Sequence, residues 1–231
     1  MKLNKYYIRA RLFPTVLTAP PAIAFFINFI APLYHENLSN VFTTLPTITT
    51  ATFSAAIVFL LIQLNRLCAK EIFQSKFFQD ELRMPTTNHL VWKDDYYDKE
   101  IKRKIRLKIR DKYNITLLSD EDELADETKG RKLITTAVSQ IRNSLTDNPM
   151  LQQHNIEYGF FRNLIGGSLL AFIFSLLDLV FAFVFADQQM KLVSLSLITV
   201  YLTFLLLGKL FIKKYGEYYS KILYEQFINL P

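Results

Sequence analysis

The chain has 231 residues, 51% of them hydrophobic, with 20 Phe and 12 Tyr, yet 21% are charged and the formal net charge is +6. Long uncharged runs alternate with densely charged ones, a segregation that argues against an ordinary soluble globule and for a membrane protein with one aqueous region. The single cysteine, Cys68, rules out an intramolecular disulfide framework and a thiolate metal cluster.

In chain order, the first element is the uncharged run 12–34, preceded by the basic "MKLNKYYIRAR". About 20 apolar residues are needed to cross roughly 30 Å of hydrocarbon. A cleaved signal carries a shorter apolar core of about 7–15 residues with a small-residue cleavage site, so this run is read as a retained span. Pro20 and Pro21 remove two backbone donors from it and predict a kink or a broken helix. Such a break persists in lipid only where protein or water satisfies the freed carbonyls.

A second span is predicted over about 46–64, with Thr47, Thr50 and Ser54 spaced three and four residues apart on one stripe. "LCAKEIFQSKFFQDELR" continues from it with Ile72, Phe73, Phe77 and Leu82 at helical spacing, so the span extends into the aqueous region as one long helix. "MPTTNH" breaks that helix. Further helices are predicted over about 98–113 and 126–145, the second ended by Pro149; Ser119, with Asp122 three residues on, is a candidate cap between them.

The strongest charge feature lies here. "KEIKRKIRLKIRDK", residues 99–112, sets eight basic residues against Glu100 and Asp111. Ile101, Ile105 and Ile109 recur every fourth residue, a narrow apolar seam under a broad basic face if helical; the alternation over 104–110 suits a strand equally. Either form makes Arg103, Lys104, Arg106, Lys108 and Arg110 a candidate phosphate site, because guanidinium forks match phosphate geometry. Lys132 adds to it, and Trp92, Tyr96 and Tyr97 are candidate stacking partners for bases. A solvated face, or a patch resting on anionic lipid, is the competing reading.

The third span, about 164–186, carries Ser168, Ser175 and Asp178; the fourth, 192 to about 212, carries Ser196, Thr199 and Thr203. An intramembrane acid normally faces a bundle interior, a cavity or a partner charge. Thr47, Thr50, Ser54, Ser175, Asp178, Thr199 and Thr203 are therefore candidate pore-lining or helix-contact residues, with bonding to their own helix backbone as the structural alternative for the hydroxyls. "IGGS" at 165–168 reads as a helix-packing contact. The three histidines lie far apart in sequence and fall in no paired ligand motif, and no phosphate loop, dinucleotide fingerprint or nucleophile elbow occurs. No enzyme activity, cofactor or metal is expected.

Orientation follows from Lys and Arg near the span ends. Lys2, Lys5, Arg9 and Arg11 precede the first span, while "HENLSNVFTTL" after it has neither; Arg66, Lys70 and Lys76 follow the second, Arg162 precedes the third, and the fourth runs into "GKLFIKKYGEYYSK". Both termini and the central region are placed inside. The expected fold is a mainly all-α membrane protein: a transmembrane hairpin (1–65), a mixed, mostly helical cytoplasmic insert (66–162), a second hairpin (163–214) and a cytoplasmic tail (215–231).

"MPTTNHL", "DKYNITLLSDEDELAD", "IRNSLTD" and "NIEYGFFRNLIG", together with the hairpin layout, resemble a bacterial family of small four-span membrane proteins associated with antiphage defence, the membrane effectors of Hailong-type systems. The resemblance covers about residues 84–166. It implies an oligomeric channel of the bacterial inner membrane whose cytoplasmic part binds a short single-stranded oligonucleotide or cyclic nucleotide made by a partner nucleotidyltransferase, and whose opening depolarises the infected cell. Four spans with few polar groups enclose no wide aqueous path alone, so a symmetric homo-oligomer, with a tetramer as the first expectation, is the natural solution. The alternative is a non-channel anchor or assembly protein that recruits a cytoplasmic protein partner.

Overall fold

The computed structural model describes residues 5–30, 46–79 and 81–230, without the side chains of 46–50. Every regular element among the described residues is a helix, joined by turns and irregular loops, and there is no strand. The mixed insert expected from sequence is thus helical throughout its described elements, and the strand alternative for 104–110 is not adopted.

The chain forms two compact units, residues 1–73 with 159–209, and 74–158 with 210–231. Unit 1 begins with α1 (Lys5–Thr18) and α2 (Pro20–Ile30), bent by 47° at the intervening Ala19. The cause is the proline pair: Pro20 and Pro21 have no N–H for the carbonyls of Val16 and Leu17. The Leu17 carbonyl finds another donor, the Tyr201 hydroxyl at 2.9 Å. Tyr201→Phe is expected to lower thermal stability in detergent by about 1 kcal/mol, the cost of a part-buried carbonyl left without a donor. In a Pro21→Ala background the loss shrinks, since the introduced alanine supplies the missing N–H; equal losses in both backgrounds rule the account out.

Helix α3 comprises Pro46–Leu67, wider π-helical turns at Cys68–Gln74 and a last turn Ser75–Phe78, the continuation predicted from the spacing of Ile72, Phe73 and Phe77. It does not reach Leu82: the break expected at "MPTTNH" comes earlier, at Gln79, whose left-handed conformation (φ 45°) ends the helix, while Pro85–Asn88 are themselves helical. Helices α8 (Pro149–Val184) and α9 (Gln188–Ile228) are longer still. Three helices are long and apolar enough to cross a membrane, or four if the bent α1–α2 pair counts as one span. Between α8 and α9, Ala186 takes a left-handed conformation (φ 57°) and the Asp187 N–H closes on the Ala182 carbonyl at 3.0 Å, a Schellman-type stop. Asp187 then starts α9 by accepting the Met190 N–H at 3.0 Å.

Glycines set the helix approach inside unit 1. A Cβ on Gly166 would lie 2.3 Å from the Asn65 carbonyl oxygen, and one on Gly167 2.5 Å from Thr18 Oγ1. Asn65 Nδ2 donates to Thr15 Oγ1 and Thr18 Oγ1, each at 3.1 Å, and Asn163 Nδ2 donates to the Ala10 carbonyl at 2.6 Å. "IGGS" is therefore a packing contact, as its small residues suggested. Farther along, Phe25 meets Phe174 (5.7 Å between centroids) and Phe29 meets Phe181 (4.7 Å), an aromatic ladder between α2 and α8.

Unit 2 holds α4 (Pro85–Asn88), α5 (Lys99–Tyr113), α6 (Asp120–Ala125) and α7 (Glu127–Ser144) with the adjoining ends of α8 and α9. Ser119 caps α6 by accepting the Asp122 N–H at 3.1 Å, and Asp126 caps α7 through the Lys129 N–H at 2.9 Å. Pro149 opens α8 rather than simply closing α7, a favoured first-turn position for proline. The core joins Ile105 and Ile109 of α5, Ile134, Val138 and Ile141 of α7, and Leu223, Tyr224 and Phe227 of α9. The segment read from sequence as a tail is thus core material: Tyr219, Leu223 and Phe227 recur every four residues.

A cationic cleft beside Trp92

The basic helix α5 buries more of its charge than its pattern indicates. Lys102, Ile105, Arg106 and Ile109 are its buried face, whereas Ile101 is 38% exposed. Lys102 takes its place because the loop before α5 turns carbonyls inward: the ammonium donates to Val91 at 2.8 Å, to Trp92 at 3.3 Å and to Asp94. Burial pushes the Lys102 ammonium below the usual lysine range, although Asp94 opposes the shift.

Arg106, one turn on, donates to the carbonyls of Leu118 (2.7 Å) and Leu90 (2.5 Å) and to Glu123 Oε2 (2.7 Å). Glu123 also accepts the Trp92 backbone N–H at 2.6 Å. The Trp92 indole N–H donates to the Leu118 carbonyl at 3.1 Å, and the Arg106 guanidinium lies 4.2 Å from the Trp92 ring centroid. The hydrogen-bonding edges of Arg106 are thus turned inward and its charge is paired with Glu123, so it offers a phosphate neither a free fork nor an uncompensated cation. Its main work is to fix Trp92.

Above this floor opens a cleft of about 500 Å³ lined by Trp92, Arg103, Arg106, Arg110, Ser119 and Asp122, with Leu107 and the 116–118 loop. Arg103 and Arg110 hold only solvent-exposed ion pairs, with Glu100 (2.5 Å) and Asp111 (3.0 Å). Exposed pairs exchange readily for a better anion. Four of the nine ligand candidates meet here. Sequence reasoning missed the opposite wall, Leu117, Leu118 and Asp122; only the Ser119–Asp122 capping pattern pointed to that loop.

The other five lie elsewhere. Lys104 and Lys108 line a second groove of about 480 Å³ with Lys112 and Ile228, and Lys108 caps the end of α9 through the carbonyls of Ile228 (2.9 Å) and Leu230. Tyr96 stacks on His89 at 3.7 Å, and Tyr97 meets both rings edge-on. His89 Nδ1 is 2.8 Å from Ser220 Oγ, and burial lowers its pKa to about 4, leaving a neutral imidazole at physiological pH. This aromatic set is a packing cluster, with Tyr96 exposed at its edge. Lys132 is exposed on α7 and does not line the cleft.

The membrane candidates divide as well. Ser175 and Asp178 are buried inside unit 1, while Thr199 and Thr203 are exposed with Ser196 on one face of α9, and Ser54 is half-buried. One subunit cannot present both sets to a single surface. Ser175, Thr199 and Thr203 each donate to the carbonyl four residues back, at 2.8, 2.9 and 2.8 Å. The side chains of Thr47 and Thr50 lie outside the described residues. Among the described residues no group of three or more His, Cys, Asp or Glu is placed to hold a metal ion.

No protein-family model, curated protein or solved structure matches this chain.

Proposed function

We propose that the chain is a ligand-controlled, pore-forming membrane effector whose aqueous unit binds a short oligonucleotide or a nucleotide signal. The observation that carries this reading is the cleft in which Arg103 and Arg110 present exposed guanidiniums beside a Trp92 ring locked by Arg106. Exposed cations beside an aromatic ring is the chemistry of single-stranded nucleic acid binding, and immobilising the ring in advance reduces the ordering cost on binding. The sequence resemblance to Hailong-type effectors adds the class of signal and the setting: the bacterial inner membrane, both termini cytoplasmic, a homo-oligomer such as a tetramer. A ligand shifts a closed–open equilibrium only by its differential affinity for the two states. Such a difference reaches the spans through α3, α8 and α9, whose residues are shared between the units.

The back-bonded hydroxyls of Ser175, Thr199 and Thr203 favour the second reading, a non-channel anchor that recruits a protein partner. Bilayer conductance of the reconstituted full chain, with and without short oligonucleotides, separates the two: an inert bilayer under both conditions selects the anchor. Binding supplies an independent test. Reversing both Arg103 and Arg110 to Glu is expected to abolish oligonucleotide binding at physiological salt and to reduce the slope of log K against log salt by about 1.4, near 0.7 per lost phosphate contact. An unchanged slope removes the cleft from consideration.

A further inference from the structure

Most hydroxyls of the membrane helices are turned to their own backbone: those of Ser168, Ser175, Ser196, Thr199 and Thr203 bond the carbonyl four residues back. Ser194 departs from this. It is 1% exposed and its Oγ makes no hydrogen bond. Asp178, on the neighbouring helix, is also 1% exposed, and its Oδ1 likewise has no partner. Asp178 lies six residues before the end of α8 at Val184, and Ser194 six after the start of α9 at Gln188. At about 1.5 Å per residue both sit roughly 9 Å from the intervening turn. The same antiparallel register holds further down the pair, where a Cβ on Gly208 would lie 2.9 Å from Ile165 Cγ2. Two buried oxygens without partners therefore share one level of the α8–α9 pair.

The surroundings supply room but no counter-charge. The face of α8 that carries Asp178 is made of Ala171, Ser175 and Ala182, all small and buried. One turn beyond Asp178 begins a cavity of about 460 Å³ at the hairpin end, lined by Asn28, Phe181, Ala182, Asp187 and Met190 among others. From α2 the neighbours of this stretch of α8 are Phe25, Phe26 and Phe29. On α9 the nearest cation in sequence, Lys191, lies over the Phe183 ring at 4.7 Å, and Asp187 at the turn adds negative charge. Among the described residues of unit 1, Asp178 is the one buried side chain of the Asp, Glu, Lys, Arg and His set. An ionised carboxylate in such a place costs several kcal/mol unless a positive species joins it.

We propose that Asp178 Oδ1 and Ser194 Oγ form a binding site for a small monovalent cation, a sodium ion or a proton, inside the helix bundle of each subunit, entered through the cavity at the α8–α9 turn. Carboxylate and hydroxyl oxygens are hard donors suited to such an ion. A single carboxylate matches a single positive charge, whereas a divalent ion would leave an excess buried. The site does not depend on the oligonucleotide reading.

The test uses the full chain purified in micelles, with radioactive sodium binding measured at alkaline pH against a bulky organic cation, and the carboxylic-acid carbonyl band followed by infrared spectroscopy. For a sodium site, saturable binding of one ion per subunit is expected, displaced at mildly acidic pH, lost in Asp178→Asn, weakened several-fold in Ser194→Ala and unchanged in Ser196→Ala, whose exposed hydroxyl already bonds the Leu192 carbonyl. For a proton site, sodium does not bind, and a protonated-carboxyl band is present that disappears in Asp178→Asn and shifts in Ser194→Ala. If neither saturable sodium binding nor that band is found, or sodium binds Asp178→Asn as it binds the wild type, the proposal is overturned. Should Asp178→Asn not fold, Ser194→Ala decides: unchanged sodium affinity together with an unshifted carboxyl band overturns it too.

Discussion

Arg106→Met is expected to unfold the region around Trp92 rather than merely weaken ligand binding. Arg106 and Glu123 are 8% and 4% exposed in their side chains and 2.7 Å apart. Removing one partner of such a pair costs about 3–5 kcal/mol, because the survivor keeps a buried, uncompensated charge. Here the loss is compounded, since the Leu90 carbonyl loses its Arg106 donor. Arg106→Met with Glu123→Leu removes both charges but leaves that carbonyl, and the Trp92 N–H that Glu123 accepted, without partners. Recovery in the double variant is therefore expected to be partial. Arg103→Met, by contrast, disrupts an exposed pair worth about 0–1 kcal/mol. Trp92 is the sole tryptophan, so its emission during thermal unfolding of the full chain reports this site directly. A wild-type midpoint for Arg106→Met would falsify the buried-pair description.

That contrast marks how far sequence alone reaches here. The long apolar runs are legible because hydropathy over about 20 residues is a local property. The bend at Pro20–Pro21, the Ser119 cap and the close approach at Gly166–Gly167 are legible for the same reason: each follows from the chemistry of one or two adjacent residues. The fate of the basic run is not. Whether a lysine at 102 or an arginine at 106 points to water depends on carbonyls at 90–94 and 118 and on a carboxylate at 123, up to 17 residues away. No periodicity rule assigns a cation to a buried seam, so Ile101 was expected there and Lys102 occupies it. The end of α9 was obscured differently: Tyr219, Leu223 and Phe227 have clear helical spacing, but the lysines and glutamates between them lower the average and make the segment read as a tail. The split of the membrane stripe into buried Asp178 and exposed Thr199 depends on which face each helix turns inward, which spacing within one helix cannot fix.

The glycines of the bundle are expected to give a graded series when each is changed to alanine, ordered by what the new methyl meets. At Gly166 the nearest atoms are the Asn65 carbonyl oxygen (2.3 Å) and the Ala69 backbone nitrogen and Cβ (both 2.7 Å). Two of these are backbone atoms and cannot move without shifting α3 itself. Overpacking of this kind typically costs about 1–3 kcal/mol and occasionally more, so Gly166→Ala should separate the α3–α8 crossing or push it apart. At Gly167 the obstacles are side-chain atoms, Thr18 Oγ1 at 2.5 Å and Asn65 Nδ2 at 2.6 Å. They can turn away, but only by giving up hydrogen bonds between Asn65 and the two threonines, and a smaller loss is expected. At Gly208 the methyl meets one branch methyl of Ile165 at 2.9 Å, with the next atoms at 3.5 Å or more and none of them backbone. Buried, β-branched Ile165 yields by a small shift rather than a rotamer change, so a still smaller loss is expected. Midpoints of thermal unfolding in one detergent should therefore fall in the order Gly166→Ala, Gly167→Ala, Gly208→Ala, from most to least destabilised. Asn65→Ala in the Gly167→Ala background restores part of the loss by removing the amide the methyl meets, whereas in the Gly166→Ala background it restores nothing, because the carbonyl it strikes belongs to the main chain. Equal rescue of both would place the helix contact in the side chains and contradict the close backbone approach of α3 and α8.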